Sequence, residues 1–224
     1  MPLVGSSRPH PRLVIFDLDR ALIDARPAFT YTVEEAVAAV TGRRLSAAPL
    51  ADEYHARPWR DALRILLDTP ADCDRAEELC REYAARSALK RLLVHEGVGM
   101  ALDTLRAAQV EMAAFSRRPY PLARKHVEST GLDRFFAFLA APASDRFELA
   151  AALTECLRLL EAPAGETAVI APGRYERTIA ARLGAIPFTA AWVPDHDPGD
   201  LPIPTTGHIL EALHRRWEGR PLEP

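Results

Sequence analysis

Arg12-Leu13-Val14-Ile15-Phe16-Asp17-Leu18-Asp19-Arg20-Ala21-Leu22-Ile23-Asp24 decides the fold of this chain. The stretch opens as an apolar strand and closes on two acids spaced i, i+2. In an extended segment that spacing turns both carboxylates to the same face. Two acids at the carboxyl end of a strand, just before a turn, suit a nucleophile beside an acid or a metal ligand.

Downstream of this strand the pattern becomes helical. Val33, Ala36, Val37 and Val40 recur at helix spacing up to Gly42. Pro58 opens a second helix carrying Leu63, Leu66 and Leu67, and a third is expected from about Asp74 to Lys90. Nothing in this region alternates like a strand, so residues 25–93 form a helical insertion. From Glu96 onward helices and strands alternate. Helices are expected over Gly97–Ala108, Pro119–Thr130, Leu149–Leu160 and Tyr175–Leu183. Strands are expected over Val110–Phe115, Thr167–Ala171 and Pro187–Val193, and Phe135–Ala140 is apolar and aromatic. A proline-rich loop over 194–204 and a last helix near Thr206–Trp217 complete the chain.

That alternation predicts an α/β fold, a Rossmann-like parallel sheet flanked by helices, with a small all-helical cap inserted after the first strand. The domains divide as a flexible tail over 1–11, a core over 12–24 and 94–224, and the cap over 25–93. Ligands of such sheets bind at the carboxyl ends of strands. Asp17, Ser116 and Pro172 fall at or just past strand ends.

The 224 residues are 48% hydrophobic and 26% charged, within the range of one globular domain with an insertion. The formal net charge of -3 supplies no basic surplus for nucleic acid. No apolar run reaches membrane length, and Met1–Pro11 lacks the apolar core of a signal peptide. Cys73, Cys80 and Cys156 are widely spaced and read as small core residues in a reducing compartment, which predicts the cytoplasm. Only Lys90 and Lys125 are lysines among 28 basic residues, which restricts where a catalytic lysine can sit. Lys125 reads as a surface residue on the helix after Ser116. Asp195-His196-Asp197 lies among prolines and reads as loop structure, and His55, His95 and His126 have no visible acid partner.

Several segments together resemble the haloacid dehalogenase (HAD) superfamily, in the small-cap subgroup that includes phosphoglycolate phosphatases and β-phosphoglucomutases. Phe16-Asp17-Leu18-Asp19-x-x-Leu22-Ile23-Asp24 matches the first motif, and Ser116 after Ala113-Ala114-Phe115 matches the second-motif hydroxyl. Gly97-Val98 with Leu102, Leu105 and Arg106 matches the helix leading into that motif. Gly131-Leu132-Asp133-Arg134-Phe135-Phe136 and Ala180-Ala181-Arg182-Leu183-Gly184-Ala185 match segments around the third and fourth motifs. The resemblance implies that Asp17 attacks phosphorus, Asp19 serves as acid and base, and Ser116 contacts the phosphoryl oxygens of a small phosphorylated molecule. It also implies Mg²⁺, for which Asp17, Asp19 and, weakly, Glu176 are the ligands left in this chain.

The chain departs from the family at the cationic end of the site. Ala141 stands where the third motif has its lysine, in a register fixed by Pro142, Asp145 and Phe147. Pro172 stands where the fourth motif has a metal-binding Asp, and Glu176 where it has a second Asp. Arg20 and Ala21 replace the first-motif Gly and Thr. Removing one preorganised charge or donor costs on the order of 10²–10³ in rate. Arg20, Arg174 and Arg117 are candidate replacements, because guanidinium binds phosphate bidentately and stays charged. The expectation is a HAD-like hydrolase fold impaired or inactive as a Mg²⁺-dependent phosphatase. Two alternatives stay open: a non-catalytic descendant that binds a ligand or partner, and metal-independent covalent chemistry at Asp17.

Overall fold

The computed structural model describes residues 10–55, 57–143 and 147–218. Most of the expected 1–11 tail lies outside them, as does Asp145 of the third-motif register. Six parallel strands form the main sheet, in the order β5-β4-β1-β6-β7-β8. They are β1 (Leu13–Asp17), β4 (Glu111–Phe115), β5 (Phe138–Ala140), β6 (Thr167–Ala171), β7 (Ile186–Ala190) and β8 (Pro202–Ile203). A separate antiparallel pair joins β2 (Ile23–Asp24) to β3 (Leu93–Val94).

All five residues of β1 are buried, and their alternation sorts two helical layers. Val14 and Phe16 face a cluster containing Leu102 and Leu105 of α5 (Val98–Ala107), Val127 of α6 (Tyr120–Thr130) and Leu213 of α9 (Ile209–Trp217). Leu13 and Ile15 face Leu149, Leu153 and Cys156 of α7 (Leu149–Leu159) and Ala180 of α8 (Arg174–Arg182). A continuous apolar run covered on both faces is what a central parallel strand requires.

Between β2 and β3 lie α1 (Arg26–Thr41), α2 (Ala48–Tyr54), α3 (Trp59–Leu66) and α4 (Pro70–Ala84). They share a hydrophobic cluster of their own, including Phe29, Val33, Val37, Leu63, Cys73 and Cys80. Gly42, at φ 70°, ends α1 in the left-handed conformation that glycine adopts without a Cβ penalty. Thr69 caps α4 by accepting from Asp72 N at 3.1 Å. Arg26 forks onto both oxygens of Asp24 at 2.8 Å and reaches Asp52 of α2 at 3.2 Å, anchoring the start of the insertion.

Some local expectations differ from the structure. The third cap helix starts at Pro70 and ends at Ala84, where a 3₁₀ turn over Leu89–Arg91 takes over. The seven-residue helix α2 carries no periodic signal in the sequence, because Ala51 is its one buried residue and leaves no stripe to read. β2, β3 and β8 are two residues each, too short to alternate. The extended reading of Asp17–Asp19 also gives way. β1 stops at Asp17, and Leu18–Leu22 forms a π-helical turn. Asp17 Oδ1 accepts from Arg20 N at 3.2 Å, so the first acid caps the turn that carries the second.

Candidate functional site

β1 lies between β4 and β6, with Asp17 in register with Phe115 and Phe16 with Ile170. The chain therefore leaves the sheet at Asp17, Ser116 and Pro172 side by side. This is the point where strand order reverses, the usual place for a ligand crevice in an open α/β sheet.

Asp17, Asp19, Ser116 and Glu176 are all buried there. Asp19 Oδ2 accepts from Ser116 Oγ at 2.9 Å and from Arg117 N at 3.0 Å. Ser116 Oγ in turn accepts from Arg118 N at 3.1 Å. Asp17 Oδ2 and Asp19 Oδ1 are buried without a hydrogen-bond partner among the described residues. Burial pushes the Asp17 carboxyl up to about 8; Glu176 and Asp19 add to the rise, and Arg117 and Arg20 oppose it.

The cations around this cluster are arginines. Arg117 is ion-paired through Nη2 with Glu176 Oε1, joining the loop after β4 to the first turn of α8. Arg118 Nε lies 3.6 Å from Asp19 Oδ1, and Arg118 Nη2 donates to the His55 carbonyl of the insertion. Arg20 turns to the proline-rich loop, where Nη2 reaches Asp195 Oδ2 at 3.2 Å and the Asp195 carbonyl at 3.3 Å. Arg174 has an exposed side chain, and its backbone N–H donates to Asp197 Oδ2 at 2.7 Å. Asp17, Asp19, Ser116, Arg117 and Glu176 are therefore brought together, Arg20 borders them, and Arg174 points to solvent. Gly173 fits closely among them: a Cβ there would run into Glu176 Oε2 and lie 2.9 Å from Arg20 Nη1.

These residues do not fit a divalent ion. Glu176 is already engaged by Arg117, and Asp19 Oδ1 faces Arg118. Pro172 supplies no carboxylate, and its carbonyl accepts from Arg177 Nη1 at 2.6 Å and Asp197 N at 3.0 Å. Among the described residues no group of three or more His, Cys, Asp or Glu side chains is arranged to hold a metal. Asp195, His196 and Asp197 serve the loop instead, with His196 Nδ1 2.7 Å from the Val193 carbonyl.

Three contributors carried no usable sequence signal. Arg177 is buried and ties the loop after β6 to the proline-rich loop, donating to the carbonyls of Pro172, Asp197 and Pro198. Its partners are backbone atoms five to twenty-one residues away, which no motif encodes. His126, buried on α6, has its ring pushed down to about 4 by burial and then by Arg118. His95 Nε2 lies 3.0 Å from the Arg20 carbonyl, so that histidine braces the π-helical turn.

A cavity of about 510 Å³ opens beside the acid cluster. It runs between α3 and α4 on one side and the start of α6 on the other, and Arg117, Arg118, Lys125, Trp59, Phe147 and Tyr175 contribute to its walls.

A family model for haloacid dehalogenase-like hydrolases matches residues 14–171. Tyrosine-protein kinase PtkA of Mycobacterium tuberculosis is 27% identical over 135 residues, covering 60% of this chain and 46% of that protein. The chain thus spans about half the length of the curated relatives it matches. The solved structure of PtkA superposes with a TM-score of 0.69 at 20% identity, covering 93% of this chain and 98% of that one. A HAD-superfamily hydrolase of subfamily IA, variant 1, from Geobacter sulfurreducens PCA superposes with a TM-score of 0.76 at 18% identity, covering 95% and 100%. At these identities the structural likenesses show the fold alone. No helix among the described residues is long and apolar enough to cross a membrane.

Proposed function

Because the chain belongs to the haloacid dehalogenase-like hydrolase family, we propose that it keeps the family's anion crevice but is impaired as a Mg²⁺-dependent phosphatase. Its ligand is a small phosphorylated molecule, held by arginines rather than by a metal and a lysine. The observation that carries this reading is the Arg117–Glu176 ion pair beside Pro172. Family members generally use Mg²⁺ next to the first acid, and here a guanidinium holds the one fourth-motif carboxylate left to ligate it. Ala141 leaves the lysine position uncharged. The cap over 25–93, set against a core over 12–24 and 94–224, covers this crevice. Three free, buried cysteines suit a reducing cytoplasm.

A second reading has support from two contacts at Asp19. Ser116 Oγ and Arg117 N both donate to Asp19 Oδ2, and Asp17 lies at the neighbouring strand end. That arrangement suits phosphoryl transfer through Asp17, in which a carboxylate oxygen bonds phosphorus as the leaving oxygen departs and takes a proton from Asp19. The name of PtkA, a tyrosine-protein kinase, belongs to the same broad chemistry but to that protein.

Mn²⁺ binding followed by electron paramagnetic resonance separates the two. The impaired reading expects no saturable Mn²⁺ site in the wild type and a new one in Arg117→Ala/Pro172→Asp. A wild-type site lost on Asp17→Asn favours metal-assisted phosphoryl transfer instead.

A further inference from the structure

We infer that the 510 Å³ cavity between α3, α4 and α6 is the ligand-binding pocket of this protein, and that it takes an aryl phosphate with its anionic head outside the acid pair. The inference rests on the impaired-phosphatase reading and names the ligand class for it.

The acid pair is a poor place for a phosphate. Asp17 Oδ2 and Asp19 Oδ1 are buried without hydrogen-bond donors among the described residues, and Glu176 adds a third buried carboxylate. Ala141 provides no lysine to offset them. Donors are instead found on the cavity wall. Lys125 makes no ion pair among the described residues, and its Nζ donates to the Ala85 carbonyl at 3.1 Å. Two of its three N–H groups are left for a ligand. Arg118 lines the same wall with its side chain 10% exposed; its Nε lies 3.6 Å from Asp19 Oδ1 and its Nη2 donates to the His55 carbonyl, so it adds positive charge to the wall. Arg117, the preceding residue, also lines the cavity while paired with Glu176.

Arg57, Arg81 and Glu77 also line the cavity, with the Glu77 carboxylate ion-paired to Arg60 and Arg81, and the apolar part of the wall sets the body of the ligand. Trp59 of α3, Phe147 and Tyr175 present aromatic surface to the cavity, and Pro119, Pro121 and Leu122 continue it as an apolar wall. Arg117 lies over the Tyr175 ring at 5.8 Å, so the cationic and aromatic parts of the wall are contiguous. A volume of this size accommodates a small ring bearing one phosphate, and pockets lined this way fix an apolar body by contact and its orientation by a few polar groups. A bare phosphate or a sugar phosphate leaves the aromatic wall unused.

Phenyl phosphate is the test probe, titrated calorimetrically into the full chain in EDTA and again in Mg²⁺, with phenol release followed in the same samples. Saturable binding is expected, equal in the two buffers, and at least about tenfold tighter than inorganic phosphate. Lys125→Ala is expected to weaken it by about tenfold, the worth of one charge-assisted hydrogen bond. Tyr175→Ala, at an exposed position, is expected to weaken it by about threefold. The pocket is overturned if phenyl phosphate does not bind, if it binds no tighter than inorganic phosphate, if binding requires Mg²⁺, or if both variants leave affinity unchanged. Phenol release in Mg²⁺ overturns the impaired reading separately, since the effect of Lys125→Ala on affinity still decides where the ring sits.

Discussion

Arg117 and Glu176, 59 residues apart in sequence, close on each other over the carboxyl ends of β1 and β6. Glu176 is almost fully buried and Arg117 about one-third exposed. The pair supplies an internal cation beside Asp17 and withdraws a carboxylate from any metal. Removing Arg117 strands a buried charge, which costs about 3–5 kcal/mol for a fully buried pair and less here because solvent screens the guanidinium. Arg117→Ala is expected to lose about 1–3 kcal/mol by chemical denaturation. Arg117→Ala/Glu176→Gln is expected to recover most of that loss.

The buried Asp17 carboxyl gives a pH dependence with a definite sign. Its folded value is about 8, well above its ordinary value of 3.8. The folded state therefore holds a proton that the unfolded chain releases above about pH 4. The stability this group contributes is complete below its ordinary value and is lost as pH rises toward 8. In EDTA, the wild-type melting temperature is expected to fall between pH 5 and 8 more steeply than that of Asp17→Asn. The variant is expected to be the more stable protein at pH 8. Parallel curves for the two proteins contradict the assignment.

Arg177 spans carbonyls on two loops, its three shortest contacts being 2.6 Å to Pro172, 2.9 Å to Asp197 and 2.8 Å to Pro198. A lysine has one nitrogen and lacks the planar fork needed to reach all three. Arg177→Lys is expected to destabilise the fold by about 2–4 kcal/mol in thermal unfolding, since buried carbonyls lose charged donors.

Gly173 packs against the ends of Glu176 and Arg20. A methyl group there must displace a carboxylate already committed to Arg117. Gly173→Ala is expected to cost about 1–3 kcal/mol, the range for overpacking a tight site. Glu176→Ala in the same background is expected to relieve part of that cost, measured by a double-mutant cycle on denaturation midpoints.

The sequence is most legible where one short element carries the whole signal. Thr167–Ala171 forms the strand read from its apolar run, and Leu13–Asp17 has the central place that its continuous burial implies. Asp17, Asp19 and Ser116 meet because strand ends align in a parallel sheet, a consequence of topology that the alternation already encodes. What could not be read depends on long side chains reaching distant backbone. Arg20 was visible beside the acids, but its partner Asp195 lies 175 residues away. The local chemistry of Arg174 matched that of Arg117, and only the fold turns one to solvent and the other onto Glu176. The segments β2, β3 and β8 are held by pairing with a neighbour strand rather than by any periodicity of their own.

If internal arginines stand in for the metal and lysine of this site, as proposed, a phosphate-ester screen with and without Mg²⁺, phenyl phosphate included, reads it out. The wild type is run beside Ala141→Lys/Pro172→Asp. The expected result is no Mg²⁺-dependent turnover by the wild type, and turnover appearing in the double reversion. Wild-type turnover in Mg²⁺ at about 1 s⁻¹ or faster, an ordinary enzymatic rate, abolished by Asp17→Asn, contradicts it.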